Sequence, residues 1–163
     1  MATRTDLIAV SGRIDRLDTR PRADGEEGTE LVVVDYKTGR RLLTADDARS
    51  SLALALYALA ASRVLRRECR RVELHHLPSR QVLAWEHTAE TLQRHLRRAE
   101  DIAEACADAD ERMRAPLPAK KYDEVFPPRT SPACGWCDYR RSCPEGQLAA
   151  TTAHRPWDGL AEL

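Results

Sequence analysis

"VVVDYKTGR", residues 32–40, decides how this chain is read. Three consecutive valines call for a buried strand, because a branched Cβ packs well on a pleated surface. Asp35 and Lys37 follow at its mouth, and Thr38-Gly39 closes the run. Charge leaves water only when it is paired or useful, so an acid and a lysine here need a partner or a task. Side chains alternate along a strand, which puts Asp35 and Lys37 on one face and Tyr36 on the other.

Upstream, "DLIAVSGRIDRLD" (6–18) reads as one strand, with Val10, Gly12, Ile14 and Arg16 on one face. "TRPRADGEEGTE" (19–30) reads as a turn, marked by Pro21 and Asp24-Gly25. With residues 30–37 as the second strand, the pair forms an antiparallel hairpin. That hairpin brings Asp15 alongside Asp35, so two carboxylates and an ammonium meet. The carboxylates repel and call for a cation. Hard oxygen donors suit Mg²⁺ or Mn²⁺. Lys37 can then orient a water or offset charge on a phosphorane-like transition state. The plain alternative is a hairpin-end ion pair at the surface, worth little. The glycine and acid of "GRIDRLD" weigh against that alternative. Asp18, one strand pitch beyond Asp15, faces solvent in this reading.

A chain of 163 residues with 42% hydrophobic content suggests one domain with a real core. Acids and bases balance at 26 each, so net charge says nothing about nucleic acid. No apolar run is long enough for a bilayer, and "MATRTDLIAV" has no signal-peptide core. A cytoplasmic protein is the simplest reading, and cysteines there are metal ligands or thiols more often than disulfides.

Downstream, Thr44 opens a helix with Asp47 in capping-box position. Leu52, Leu56, Leu59 and Leu65 give it an apolar stripe, and Ala48, Ala55 and Ala60 permit close approach. "RVELHHL" and "QVLAWEH" are short strands around Pro78-Ser79-Arg80. Thr88 caps a long helix with Leu92, Leu96, Ile102 and Cys106 along one side, and a proline-rich connection runs from Pro116 to Pro132. Residues 1–146 form the expected domain and 147–163 a loose tail.

"GRIDRLD" followed by "VVVDYKTGR" resembles motifs II and III of the PD-(D/E)XK nuclease superfamily. It is most similar to the RecB-like branch, with its AddB nuclease domains and CRISPR-associated adaptation nucleases. The resemblance implies an α/β, restriction-endonuclease-like core: a small central mixed sheet flanked by helices. It assigns a divalent metal to Asp15, Asp35 and the Tyr36 carbonyl, and the catalytic lysine to Lys37. The family's Q-x-x-x-Y motif falls on "LALALYALAA", giving Tyr57, with Ala53 where glutamine is expected. It covers residues 8 to 146. The N-terminal helix that supplies a further ligand in the family is not matched, so a fragment, a truncated product or a second chain is expected.

"CGWCDYRRSCPEG" (134–146) is C-x₂-C-x₅-C-P, a spacing that suits zinc or an iron–sulfur cluster. The family resemblance favours a 4Fe–4S cluster on Cys134, Cys137 and Cys143, its fourth cysteine lying upstream. Cys69 and Cys106 read as core cysteines. Trp136 reads as a shield for the cluster and Trp85 as core. His75 and His76 read as core or surface histidines, not ligands. Arg63, Arg66, Arg67, Arg70 and Arg71, with Arg94, Arg97 and Arg98, read as solvated faces that can touch phosphate near a nuclease site.

The implied function is a metal-dependent DNA exonuclease of DNA repair or recombination, with DNA as partner, possibly a helicase beside it, and no membrane. The other readings are a non-catalytic DNA-binding or scaffold module, and a zinc-ribbon-like binding protein that leaves the acid–lysine pattern unexplained.

Overall fold

The computed structural model describes residues 1–5, 7–22, 25, 27–114 and 119–150, so most of the expected tail lies outside the described residues. The chain divides into two units, Met1–Cys106 and Ala107–Leu163.

In the first unit, β1 (Ala2–Arg4) and β2 (Ala9–Ser11) form a two-stranded antiparallel ribbon. The main sheet contains β3 (Arg16–Pro21), β4 (Thr29–Lys37), β5 (Cys69–His76) and β6 (Gln81–Glu86), in the order β3-β4-β5-β6. It is mixed: β4 and β5 are parallel, and the outer pairs are antiparallel. This is the expected α/β architecture with the expected β3–β4 hairpin.

Two features of that hairpin differ from the sequence reading. Residues 6–18 do not make one strand: β2 and β3 belong to different sheets, and the chain crosses between them at Gly12–Asp15. The ribbon ends where the Gly12 N–H donates to the Met1 carbonyl at 2.9 Å. β3 also continues to Pro21, inside the stretch read as turn. Pro21 ends an edge strand, where a missing N–H disturbs no ladder.

A parallel pair needs a crossover, supplied by α1 (Ala45–Ser50) and α2 (Leu52–Leu65). The cap at Thr44 is as read: its N–H donates to Asp47 Oδ2 at 2.7 Å. Arg41, then the Thr44 backbone, pull the Asp47 carboxyl down to about 2. The expected single helix is two, because Ser51 leaves helical geometry (ψ 108) and accepts the Leu54 N–H at 3.3 Å to start α2. The buried face of α2 is Leu54, Ala55, Ala58 and Ala61, while Leu65 of the expected stripe is exposed. A face of alanines lets the helix backbone lie close to the sheet.

Leu31, Val33, Val72 and Leu74 meet that helix face in one core, with Cys69 among them. Val32, Val33 and Val34 are all 0% exposed. Burial of each valine contributes about 1.5–3 kcal/mol before chain entropy is counted. Cys69 is a core thiol as read, and burial pushes its pKa up to about 12. α3 (Ala89–Arg114) starts at Thr88, whose hydroxyl accepts the Thr91 N–H at 3.1 Å. Its buried positions are Leu92, Leu96 and Ala99. Ile102 and Cys106 are exposed, so the core reading of Cys106 is corrected: the buried stripe ends at Ala99, about two turns earlier.

The second unit contains α4 (Ala119–Val125) within the stretch read as a proline connection. Two 3-10 turns, Pro132–Trp136 and Asp138–Ser142, carry the cysteine loop. α5 (Pro144–Ala150) carries helix three residues past Gln147. Among the described residues no helix is long and apolar enough to cross a membrane.

Candidate active site at the end of β4

The period-two alternation that buries Leu31 and Val33 against the helices carries Asp35 and Lys37 out on the same face. They meet there: Lys37 Nζ stands 2.7 Å from Asp35 Oδ2. The carboxylate is mostly covered at 18% exposure, whereas the lysine is 48% exposed and reaches solvent. The contact is ionic only. Asp35 Oδ2 is buried and has no partner in hydrogen-bond geometry. The Lys37 ammonium offsets the charge of this oxygen but leaves it short of an aligned N–H.

Asp15 reaches the same strand end from the sheet-crossing segment. Arg16 pairs with Val34, so the residue before it lies at the level of Asp35. Its Oδ2 accepts the Tyr36 N–H at 3.0 Å. The Tyr36 side chain points the other way, as the alternation requires. Its hydroxyl accepts from Arg16 at 2.6 Å, and its ring stands edge-on to His75 with centroids 5.7 Å apart.

The donor set fits a divalent cation. It offers hard carboxylate oxygens from the sheet-crossing segment and from β4 at one strand end, with one Asp15 oxygen committed to the Tyr36 N–H. Among the described residues no three of His, Cys, Asp and Glu converge, so a third donor has to come from the backbone or from substrate.

Two further residues shape this end. His76 is 2% exposed; its Nε2–H donates to the Gly39 carbonyl at 2.7 Å and its Nδ1 pairs with Ser79 Oγ at 2.6 Å. It thereby pins the loop that follows Lys37. In "HH" one residue must face the core side, but only the parallel register shows which carbonyl it finds. Gly12 is the second. A Cβ there would stand 2.5 Å from Tyr57 Cε1, so the ring lies over bare backbone. Tyr57 packs at the edge of the core with its ring over Gly12.

Asp18 lies on the opposite sheet face, held by Arg20 at 2.6 Å and Arg16 at 2.8 Å. Those hydrogen bonds, Arg20 first, lower its pKa. Arg20 and Arg71 also reach Glu73, only 2% exposed, at 2.8 and 3.0 Å, and His75 meets it at 2.9 Å. Burial alone would raise the Glu73 pKa; the bonds from His75, Arg20 and Arg71 outweigh it and hold the carboxyl below its ordinary value.

In the cysteine loop, Cys134 Sγ accepts the Ser131 N–H at 3.4 Å and Cys143 Sγ the Gly146 N–H at 3.2 Å. Cys137 is exposed, and the three sulfurs do not converge as a metal-holding group. Trp136 is 43% exposed.

The sequence matches the PD-(D/E)XK nuclease superfamily over residues 2–144, and the chain belongs to that superfamily. Members are nucleases that generally work with a divalent metal on nucleic acid. No curated protein matches the chain significantly.

Proposed function

We propose that this chain is a Mg²⁺- or Mn²⁺-dependent DNA nuclease of the RecB-like exonuclease type, acting in DNA repair or recombination, with a helicase or other repair subunit as the partner class. The observation that carries it is the pairing of Lys37 with a buried Asp35 oxygen at the strand end that Asp15 also reaches. Asp35 and Asp15 are the side chains that hold the cation, with the Tyr36 carbonyl as the backbone donor. The cation supplies Lewis-acid polarisation of the phosphodiester when bound. Asp35 orients the Lys37 ammonium toward solvent, where it can face charge that develops on a phosphate oxygen. His76 keeps the Gly39 loop in place beside that lysine.

The test is cleavage of single- and double-stranded DNA in Mg²⁺ or Mn²⁺, with Lys37→Ala alongside. Loss of one transition-state charge partner lowers the rate on the order of 10² to 10³. DNA binding without cleavage by the unsubstituted chain overturns the enzyme reading and leaves a non-catalytic DNA-binding or scaffold module.

For the cysteine loop the proposal is a 4Fe–4S cluster on Cys134, Cys137 and Cys143 with a fourth ligand from elsewhere, zinc being the other metal the spacing suits. Backbone N–H groups directed at two of the sulfurs would help to orient them as ligands. Protein purified without oxygen should be brown and absorb in the visible. A colourless sample with stoichiometric zinc replaces the cluster by zinc, and a sample with neither metal overturns both.

A further inference from the structure

A second polar cavity lies away from the acids, between α1, the end of β6 and the first turns of α3. It holds about 500 Å³ and is lined by Arg49, Trp85, His87, Thr91, Arg94 and Arg98, among others. Lys37 and Gln81 both pair with His76, whereas Trp85 lies four residues further along β6. At about 3.3 Å per residue that is about 13 Å from the lysine end of the sheet.

Two buried nitrogens on residues that line this cavity have no partner: Trp85 Nε1 and His87 Nε2. His87 is only 1% exposed, so this is an unpaired polar group taken out of water. Buried polar groups are nearly always paired, and an exception calls for an explanation. The Thr91 hydroxyl donates to the Thr88 carbonyl at 2.9 Å and meets His87 Nδ1 at 3.2 Å. That assignment puts the ring proton on Nδ1 and leaves Nε2 bare in the neutral ring. The indole N–H needs an acceptor.

The charge around these groups is of one sign. Arg94 and Arg98 form no ion pair among the described residues, and no carboxylate lines the cavity there. Arg49 lies over the Trp85 ring at 5.5 Å, with Asp46 holding it from outside at 2.9 Å. His95 stands edge-on to His87 and donates its Nε2–H to the Arg49 carbonyl. Such surroundings repel a cation and favour an anion.

We infer that this cavity binds a phosphate group, accepting the Trp85 indole N–H and the arginine donors, with His87 taking up a proton as the phosphate enters. The choice of phosphate over other anions rests on the nuclease reading; the anion site rests on the cavity alone. The phosphate belongs either to the DNA strand, away from the cleavage site, or to a free nucleotide.

The experiment is an NMR titration of the ¹⁵N-labelled full chain without divalent metal, following the Trp85 indole N–H and the His87 ring nitrogens. The probes are inorganic phosphate, sodium acetate as control, thymidine 5′-monophosphate, and a short single strand lacking terminal phosphates. Phosphate should shift the Trp85 indole and protonate His87 Nε2. Replacing two exposed arginines, Arg94→Gln with Arg98→Gln, should weaken this at least about tenfold, since each charge-assisted bond is worth about that much. A response to the nucleotide alone assigns the site to free nucleotide; a response to the strand assigns it to backbone phosphate. No shift at Trp85, an equal shift with acetate, or an affinity untouched by the double replacement overturns the proposal. Lys37→Ala, which slows cleavage on the nuclease reading, should leave this titration unchanged.

Discussion

The Tyr36 N–H donates to Asp15 Oδ2 at 3.0 Å, which ties the sheet-crossing segment to the residue between Asp35 and Lys37. One carboxylate oxygen is thereby committed to the backbone, and the other is left for a ligand. Asp15→Asn keeps an acceptor for this bond but removes the charge; Asp15→Ala removes both. Both should lower metal-dependent cleavage by on the order of 10² or more. Only the alanine variant should lose stability in chemical denaturation, by up to about 1 kcal/mol. An asparagine variant cleaving at the original rate would show that Asp15 holds no metal.

Gly12 and Tyr57 should behave as a coupled pair. A methyl at Gly12 would fall 2.5 Å from Tyr57 Cε1, so the ring must move. Overpacking of this kind costs about 1–3 kcal/mol. In a double-mutant cycle, Gly12→Ala should be harmful with Tyr57 present and nearly neutral in a Tyr57→Ala background. Additive effects would mean that the two do not share a contact.

Stability should fall as pH drops from 6.5 toward about 4. Burial, then the neighbouring His95, lowers the His87 pKa from 6.5 to about 4. Between those values the unfolded chain binds a proton that the folded chain refuses, so acid favours unfolding. The contribution is fully present above 6.5. Denaturation in phosphate-free buffer at several pH values measures it, with the His87 ring followed by NMR. A flat stability across that window, or a ring titrating near 6.5 in the folded chain, contradicts the prediction.

Thiol labelling should separate the cysteines. Cys69 is 0% exposed and its thiol is pushed up to about 12, so almost no thiolate forms at pH 8. Iodoacetamide should modify exposed Cys106 in the folded protein and reach Cys69 only after denaturant is added. Rapid labelling of Cys69 in native buffer would place that strand end outside the core.

Much of the site was legible because it obeys local rules. The valine run, strand alternation and the hairpin put Asp35 and Lys37 on one face with Asp15 at their level. The Thr44–Asp47 cap was legible for the same reason, since both partners lie within one turn. The crossing at Gly12–Asp15 was not: β2 and β3 continue one alternating pattern, and only their pairing with different partners separates them. Nor was the alanine face of α2, because leucines lie all around that helix and periodicity does not choose among them.

The sequence by itself determined most of the main-sheet strands, the acid–lysine pairing and the superfamily, all of which depend on residues close together in the chain. Tertiary structure decided what depends on distant ones: Tyr57 over Gly12, His76 on the Gly39 carbonyl, Glu73 between Arg20 and Arg71, and the cavity around Trp85 and His87. A side chain's partner across a sheet or crossover follows from register and from the approach of helix to sheet. Those are set by how the whole core closes, and no local spacing encodes them.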